Sequence, residues 1–174
     1  LANLFTAYKV PFIGTDRELS ILDPAALYAF AHDKGISWII NCAAYTAVDK
    51  AEDEVELCTA LNVQGPENLA RLAREIGARL LHISTYYVFS GTPILDQGVP
   101  RPYREDDPTG PTGVYGKTKR EGEERVLSIS QDNIILRTAW LYGQHGNNFV
   151  FTMLRLMKER ERIGIVADQR GSPT

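Results

Sequence analysis

The residues best suited to chemistry in this 174-residue chain are Tyr115 and Lys119. They are four positions apart, so on a helix their side chains lie on the same face, one turn apart. A neighbouring ammonium favours the phenolate and lowers the pKa of a tyrosine, which would let Tyr115 donate or accept a proton near neutral pH. Surface helices also carry such pairs without any catalytic role, so the surrounding elements must support this interpretation.

Two hydroxyl residues, Ser84 and Thr85, follow a predicted strand that begins at Arg79. A threonine at the end of that strand could hydrogen-bond a substrate carbonyl oxygen together with Tyr115 and polarise it for hydride attack. Capping of the strand end explains the two hydroxyls equally well when this segment is taken alone.

Two further segments have features of cofactor contacts. Asp16 and Arg17 follow the apolar residues 10–14, where an acidic side chain can accept hydrogen bonds from an adenosine ribose and an arginine can face a 2′-phosphate. The presence of both leaves the choice between NAD and NADP open, and an ordinary turn is the simpler explanation. Ala43 and Ala44 lie just past an apolar run, where small residues let a flat ligand or a pyrophosphate approach the backbone, although close helix packing would also select alanine.

Strand-like and helical segments alternate along the chain, which predicts an α/β fold with a doubly wound, Rossmann-like parallel sheet. Strands are predicted at residues 10–14, 37–42, 79–84, 134–138 and 163–167. Helices are predicted at residues 1–7, 23–34, 66–76, 113–129 and 148–162, with a further helix ending near 62. The largely apolar run 37–42 is expected to be buried on both faces of the sheet. The loop 86–112 is long enough to suggest a functional or mobile segment.

Composition excludes several classes of protein. The net charge of −3 gives no basic footprint for nucleic acid, and no apolar run approaches the ~20 residues of a membrane span. Cys42 and Cys58 are expected to be buried, reduced thiols of a cytoplasmic protein. The three histidines have no ligand spacing, so no metal site is predicted, and the acidic residues between 49 and 56 are interpreted as a solvated helix start.

Six segments occur in an order and spacing that is typical of one family. They are residues 41–52 (NCAAYTAVDKAE), 84–89 (STYYVF), 102–107 (PYREDD), 115–119 (YGKTK), 137–143 (RTAWLYG) and 168–174 (DQRGSPT). Together they resemble the dTDP-4-dehydrorhamnose reductases, which are extended short-chain dehydrogenases. Six ordered motifs are far more specific than the Tyr115 and Lys119 pair alone.

The resemblance implies a set of catalytic roles. Tyr115 is expected to protonate the developing alkoxide, and Lys119 to bind the nicotinamide ribose and lower the pKa of the tyrosine. Thr85 completes the catalytic group. The implied reaction is hydride transfer from NADPH or NADH to the C4 ketone of dTDP-4-dehydro-L-rhamnose, which gives dTDP-L-rhamnose.

The resemblance also implies binding residues and partners. Ala43, Ala44 and Tyr45 are expected to line the cofactor, and Tyr87 and Trp140 to face the sugar. The partner is a dTDP-linked 4-keto sugar, with no nucleic acid and no membrane, and a homodimer is a candidate assembly.

The chain departs from the family pattern in several places. No opening strand and no glycine-rich phosphate loop are visible before Leu1, and the C-terminal substrate domain is expected to be largely absent. Residues 1–174 are therefore predicted to form an incomplete Rossmann-like domain that binds cofactor poorly. The family usually has Asp at the position of Tyr86, and often at the position of Ser90. The segment 91–100 is also longer than usual. These departures leave the identity of the sugar open.

Two alternatives remain from the sequence. One is a non-catalytic, NADP-binding regulatory subunit similar to that of methionine adenosyltransferase, which resembles the same family and keeps a similar Tyr-Gly-Lys segment. The other is a reductase that acts on a different nucleotide-linked keto sugar. Residues 41–52 and 137–143 resemble the dTDP-4-dehydrorhamnose reductases more closely, which favours that enzyme.

Overall fold

The computed structural model describes residues 1–146, 148–167, 171, 172 and 174. The helices are α1 (Ala2–Ala7), α2 (Pro24–Ala31), α3 (Val55–Thr59), α4 (Gly65–Glu75), α5 (Val114–Ile129) and α6 (Phe149–Glu159). The strands are β1 (Trp38–Asn41), β2 (Arg79–Thr85), β3 (Ile94–Asp96), β4 (Val99–Arg101) and β5 (Ile134–Thr138). Helices α2 and α6 start where their capping residues predict, because the side chains of Asp23 and Asn148 accept hydrogen bonds from backbone N–H groups of the first turn.

A three-stranded parallel sheet in the order β1-β2-β5 forms the centre of the fold. Ile39 pairs with Leu80, and Ser84 pairs with Arg137. Helices α3 and α4 connect β1 to β2, and α5 connects β2 to β5, so each parallel pair is joined through helices. This confirms the predicted α/β fold with a Rossmann-like parallel sheet, and it brings the carboxyl ends of the three strands to one edge.

The main core lies between one face of this sheet and helices α2, α4 and α5. Leu80 of β2 is fully buried there against Leu27, Leu72 and Val126, one from each helix. The buried face of α4 includes the apolar stripe that its sequence predicts. Burial of each large aliphatic side chain contributes roughly 1.5–3 kcal/mol, so these contacts hold the helices that carry the site against the strands.

The opposite face of the sheet is open in the described part of the chain. Trp38, Ile40, Ile134 and Leu136 alternate with the core residues of their strands and are between 37% and 48% exposed. The expectation that residues 37–42 are buried on both faces is therefore wrong for Trp38 and Ile40.

The two cysteines differ. Cys58 is fully buried, as expected, whereas Cys42 is exposed and the expectation of burial is wrong for it. The period of two along β1 places Cys42 on the same side as the exposed Trp38 and Ile40, whereas the helices cover the side of Asn41.

Residues 10–14 and 163–167 do not form the strands that their apolar character predicts. Among the described residues neither segment pairs with a strand of the sheet, and an isolated strand would leave its backbone N–H and C=O groups without partners. The long loop 86–112, in contrast, contains the hairpin β3–β4. Gln97 and Gly98 connect its strands, both with positive φ, as a tight two-residue turn requires.

Helices α3 and α4 are joined by a π-helical turn, Ala60–Gln64, so the chain stays helical where two separate helices were predicted. The turn buries Asn62 completely. The Asn62 side chain accepts a hydrogen bond from Tyr45 N at 2.9 Å and donates one to Tyr45 O at 3.2 Å. Helix α5 packs directly on this turn at Gly122, where a Cβ atom would overlap the carbonyl oxygen of Asn62.

Candidate active site

The carboxyl edge of the parallel sheet and the N-terminal half of α5 border a cleft of about 390 Å³. Ligands bind at this edge in open α/β sheets. The three residues predicted to be catalytic, Thr85, Tyr115 and Lys119, all line the cleft. Other residues that line it are Cys42, Ala44, Thr46, Tyr86, Tyr87, Thr138 and Trp140.

Tyr115 lies in the first turn of α5 and is half-buried against the end of β2. Burial raises the pKa of its phenol, and a hydrogen bond from Thr85 opposes this effect. The prediction of a lowered pKa is therefore wrong for this structure, because loss of hydration outweighs the interactions that favour the phenolate. Tyr115 is held in its protonated form, which suits it to donate a proton.

Lys119 is 2% exposed, one turn further along α5. Its Nζ atom donates a hydrogen bond to the carbonyl oxygen of Ile83 at 2.7 Å and lies 3.3 Å from Nε2 of His82. Burial lowers the pKa of Lys119 to about 8, and the nearby Glu123 partly opposes this shift. The lysine is therefore poised to change its charge near physiological pH.

A buried polar chain continues from Lys119 into the sheet. Nδ1 of His82 lies 3.0 Å from Nδ2 of Asn41, and the Oδ1 atom of Asn41 accepts a hydrogen bond from Ala43 N at 2.9 Å. Burial, with a smaller effect from Lys119, lowers the pKa of His82 to about 3. The imidazole is therefore neutral at physiological pH.

A second buried network connects α5 to β5. Glu123 is 2% exposed, accepts a hydrogen bond from Ser84 Oγ at 2.5 Å, and pairs with both Nε and Nη2 of Arg137 at 2.9 and 2.7 Å. The Arg137 guanidinium also lies over the ring of Phe89, 5.0 Å from its centroid. This two-point ion pair fixes the helix that carries Tyr115 against the strand end.

Aromatic side chains form one wall of the cleft. Tyr87 meets Tyr115 edge-on with 5.6 Å between ring centroids, and Tyr86 lies 4.7 Å from Tyr87. The indole Nε1 of Trp140 donates a hydrogen bond to the hydroxyl of Tyr86 at 3.1 Å. Burial and a hydrogen bond to Tyr86 raise the pKa of Tyr87 to about 12. The two residues predicted to face a sugar, Tyr87 and Trp140, thus share this wall with Tyr86.

Only some of the residues predicted to bind the cofactor line the cleft. Ala44 lines the cleft, whereas Ala43 does not, although its N–H group holds Asn41. Tyr45 turns away into a small second core with Cys58, and its hydroxyl donates a hydrogen bond to Glu54 at 2.8 Å. Tyr45 is therefore not among the residues that line the cleft, and its contacts support the loop after β1 instead. Burial and Glu54 raise the pKa of its phenol to about 12.

Asp16 and Arg17 lie in an exposed turn outside the lining of this cleft. The structure therefore does not bring them to the residues of the candidate site. The C-terminal motif 168–174 lies partly outside the described residues, at 168–170 and 173. Within it, the Thr174 side chain hydrogen-bonds Ala139 N and O beside Trp140.

The described ranges contain neither a candidate metal cluster nor a helix suited to a membrane. In these ranges no three His, Cys, Asp or Glu side chains lie close enough to share a metal ion. None of the helices described there combines the length and the apolar character that a bilayer crossing requires.

The sequence patterns did not identify His82, Asn41 and Glu123 as parts of the site. The signal for His82 was available, because the period of two in a strand puts it on the same face as Leu80, which is the face that the helices cover. A histidine at such a position needs a polar partner. The signal for Glu123 was weaker, since it lies among charged residues that resemble a solvated helix face.

A parallel α/β sheet with its cleft at the carboxyl edge of the strands defines the Rossmann-like class. Within that class, residues 1–174 match the family described as "RmlD substrate binding domain". The chain belongs to this family.

Several of the relatives that the chain resembles are named dTDP-4-dehydrorhamnose reductase. It is 48% identical over 157 residues to a dTDP-4-dehydrorhamnose reductase of Streptomyces griseus, an alignment that covers 90% of this chain and 50% of that protein. A crystal structure of a dTDP-4-dehydrorhamnose reductase from Clostridium acetobutylicum superimposes with a TM-score of 0.89 at 42% identity, covering 99% of this chain and 60% of that one. The enzyme from Bacillus anthracis, solved in complex with NADP, gives a TM-score of 0.83 at 43% identity over 92% and 55% of the two chains. The chain thus spans about half the length of the curated relative.

Proposed function

We propose that this chain carries the catalytic residues of an NADP-dependent reductase that converts the C4 ketone of dTDP-4-dehydro-L-rhamnose to the alcohol of dTDP-L-rhamnose. The observation that carries the proposal is the meeting of Thr85, Tyr115 and Lys119 in one cleft at the carboxyl edge of the sheet. Support also comes from the relatives named dTDP-4-dehydrorhamnose reductase, one of them crystallised with NADP.

The reaction adds a hydride to the carbonyl carbon and a proton to the carbonyl oxygen, so a C–H and an O–H bond replace the C=O π bond. Tyr115 would donate the proton, and its raised pKa keeps that proton available. The Thr85 hydroxyl would hydrogen-bond the same oxygen and stabilise the charge that develops on it. The ammonium form of Lys119 would stabilise the phenolate that remains after proton transfer.

The residues present fit a nicotinamide cofactor. The Nζ atom of Lys119 and the hydroxyl of Tyr115 are hydrogen-bonding groups at the edge where such cofactors lie, and they would hold its ribose hydroxyls. The small side chain of Ala44 leaves the backbone after β1 open to close approach. When bound, NADPH would supply the hydride.

The direct test is NADPH oxidation by the full-length protein, with and without dTDP-4-dehydro-L-rhamnose. We expect sugar-dependent oxidation that falls at least 100-fold in Tyr115→Phe, which removes the acid and keeps the ring. The affinity for NADPH should fall far less than turnover in this variant, because Lys119 would still hold the ribose. Tyr8→Phe is the control for the loss of a tyrosine hydroxyl, because Tyr8 is exposed and does not line the cleft.

The outcomes separate the alternatives. Full turnover in Tyr115→Phe would remove this residue from the mechanism. A folded protein that binds NADPH and oxidises none of it with any nucleotide-linked keto sugar would instead support a regulatory, non-catalytic role.

A second candidate substrate is a different nucleotide-linked 4-keto sugar. It is favoured by the hydrogen bond between Trp140 and Tyr86, because this bond places a phenol ring in the wall that a sugar would face. A panel of such sugars, ranked by kcat/KM, tests this candidate in the same assay. The homodimer and the cytoplasmic location stay predictions.

A further inference from the structure

The buried histidine of the site, His82, lies between Asn41 and Lys119 on the helix-facing side of β2. It is fully buried and neutral at physiological pH, so its ring carries a single N–H. One ring nitrogen must therefore accept a hydrogen bond and the other must donate one. Which nitrogen does which is decided by the neighbours.

The orientation of Asn41 fixes the tautomer of His82. Ala43 N–H donates to Oδ1 of Asn41 at 2.9 Å, so the amide nitrogen of Asn41 is the atom turned toward Nδ1 of His82 at 3.0 Å. The reversed amide would set two N–H donors against each other at Ala43. Nδ1 of His82 therefore accepts, and the ring proton is on Nε2.

That proton points to the side of Lys119. Nε2 of His82 lies 3.3 Å from Nζ, while Nζ donates to the carbonyl oxygen of Ile83. An ammonium has no lone pair, so it would oppose N–H to N–H, whereas a neutral amine can accept the hydrogen bond from His82. We propose that His82 is a positioning residue that donates its Nε2–H to the neutral amine of Lys119 and thereby sets the proton balance of the Tyr115–Lys119 pair.

The charged and titratable groups around Lys119 do not hold it in the ammonium form. Glu123, on the same helix, and Cys58 of α3 both raise the pKa of Lys119, but Glu123 is already engaged by Arg137 of β5. Burial acts in the opposite direction and is the larger effect. A donor from β2 stabilises the neutral form further, so protonation of Lys119 requires the loss of the His82 hydrogen bond.

This proposal rests on the proposed role of Lys119, but its first test needs no turnover. In full-length protein labelled with ¹⁵N in the imidazole rings, the ¹⁵N shifts show which nitrogen of each histidine carries the proton. The signals that disappear in His82→Gln are those of His82. We expect the Nε2–H tautomer for His82 at a pH well above about 8, where Lys119 is a neutral amine. The Nδ1–H tautomer at that pH would overturn the proposal.

Two variants test the coupling to Lys119, whose pKa can be followed by NMR of ¹³C-labelled lysine. His82→Phe removes the donor and keeps an aromatic ring, so the pKa of Lys119 should rise by about half to one unit. In Asn41→Asp, the carboxylate can only accept a hydrogen bond from His82, so the ring proton should move to Nδ1. Nε2 of His82 then becomes an acceptor for the ammonium, and the pKa of Lys119 should rise by about one unit or more. The exposed His32→Phe variant is the control and should cause no shift.

A purely structural role for His82 makes a different prediction. In that case both substitutions would lower kcat by a similar factor at every pH and leave the pKa of Lys119 unchanged. That result would contradict the proposal. If the protein proves to have no reductase activity, the tautomer and the lysine titration still decide the role of His82. Failure of this inference is thus distinguishable from failure of the proposed function.

Discussion

Tyr115 and Lys119 are both shifted toward their uncharged forms in the cleft, since burial raises the pKa of the phenol and lowers that of the lysine to about 8. The spacing of the two residues in the sequence identifies the pair, but it carries no information on how much water surrounds them. For this reason the sign of the tyrosine shift could not be predicted. A protonated phenol is nevertheless the form that a carbonyl reduction requires.

Lys119→Met should weaken both NADPH binding and turnover, because it keeps much of the buried side-chain volume and removes the nitrogen. The matched control is Lys117→Met, at an exposed position on the same helix, which should leave both quantities unchanged. Fluorescence titration with NADPH and steady-state kinetics measure the two effects. Normal values of both in Lys119→Met would exclude this lysine from the site.

Tyr86→Phe should alter sugar recognition more than chemistry. The change removes the oxygen that accepts the Trp140 N–H and keeps the ring in the wall. Loss of one such hydrogen bond corresponds to about a two- to tenfold rise in KM for the sugar, with kcat nearly constant. Tyr28→Phe, on the exposed side of α2, serves as control. A large fall in kcat with constant KM would contradict this view of Tyr86 as a recognition residue.

At the scale of elements, sequence patterns located β2, α5 and β5 closely, because each has a clear period or a clear boundary residue. They failed at residues 10–14 and 163–167, since local apolar character does not show whether a partner strand is near. The hairpin β3–β4 was missed for a related reason. Its strands are only three residues long, and their pairing depends on the turn at Gln97 and Gly98.

Gly122→Ala tests the contact between α5 and the π-helical turn. Alanine favours a helix by roughly 1 kcal/mol over glycine, so local propensity alone predicts a more stable protein. The new Cβ would overlap the carbonyl oxygen of Asn62, which is backbone and cannot rotate away. We expect a net loss of about 1–2 kcal/mol in the free energy of unfolding, measured by denaturant titration.

Gly164→Ala is the matched control for this change, because a Cβ there meets no atom within 4 Å. It should leave stability nearly unchanged. An equal or higher stability of Gly122→Ala relative to the unchanged protein would show that α5 does not pack on Asn62 as closely as described.

For the whole molecule, the α/β class and the edge of the sheet that carries the site followed from the alternation of elements. The open face of the sheet did not, because an apolar run such as 37–42 predicts a tendency to be buried and not the presence of a cover. Likewise, the ion pair of Glu123 and Arg137 joins residues 14 positions apart through the fold, which no local pattern reveals.

The buried His82 should make the molecule sensitive to acid. Its pKa is about 3 in the folded chain against about 6.5 in an unfolded one, so between these values the unfolded state binds a proton that the folded state does not. Stability should therefore fall as pH drops from about 6.5 toward 3, by an amount on the order of a few kcal/mol.

Denaturant titrations across this pH range measure the effect. His82→Phe should flatten the dependence, and His32→Phe, at an exposed histidine, should not. An unchanged slope in His82→Phe would show that other groups cause the acid sensitivity.

The π-helical turn Ala60–Gln64 makes this segment sensitive to a change in its length. A π turn is what remains when one extra residue enters an α-helix, so deletion of a single residue here would restore an unbroken helix from α3 into α4. Each residue turns a helix by about 100°, and the deletion would rotate Asn62 away from Tyr45. The deletion would therefore preserve the helix but remove the hydrogen bonds that join Asn62 to the loop after β1. The function of this segment thus depends on its length as well as on the identity of residue 62.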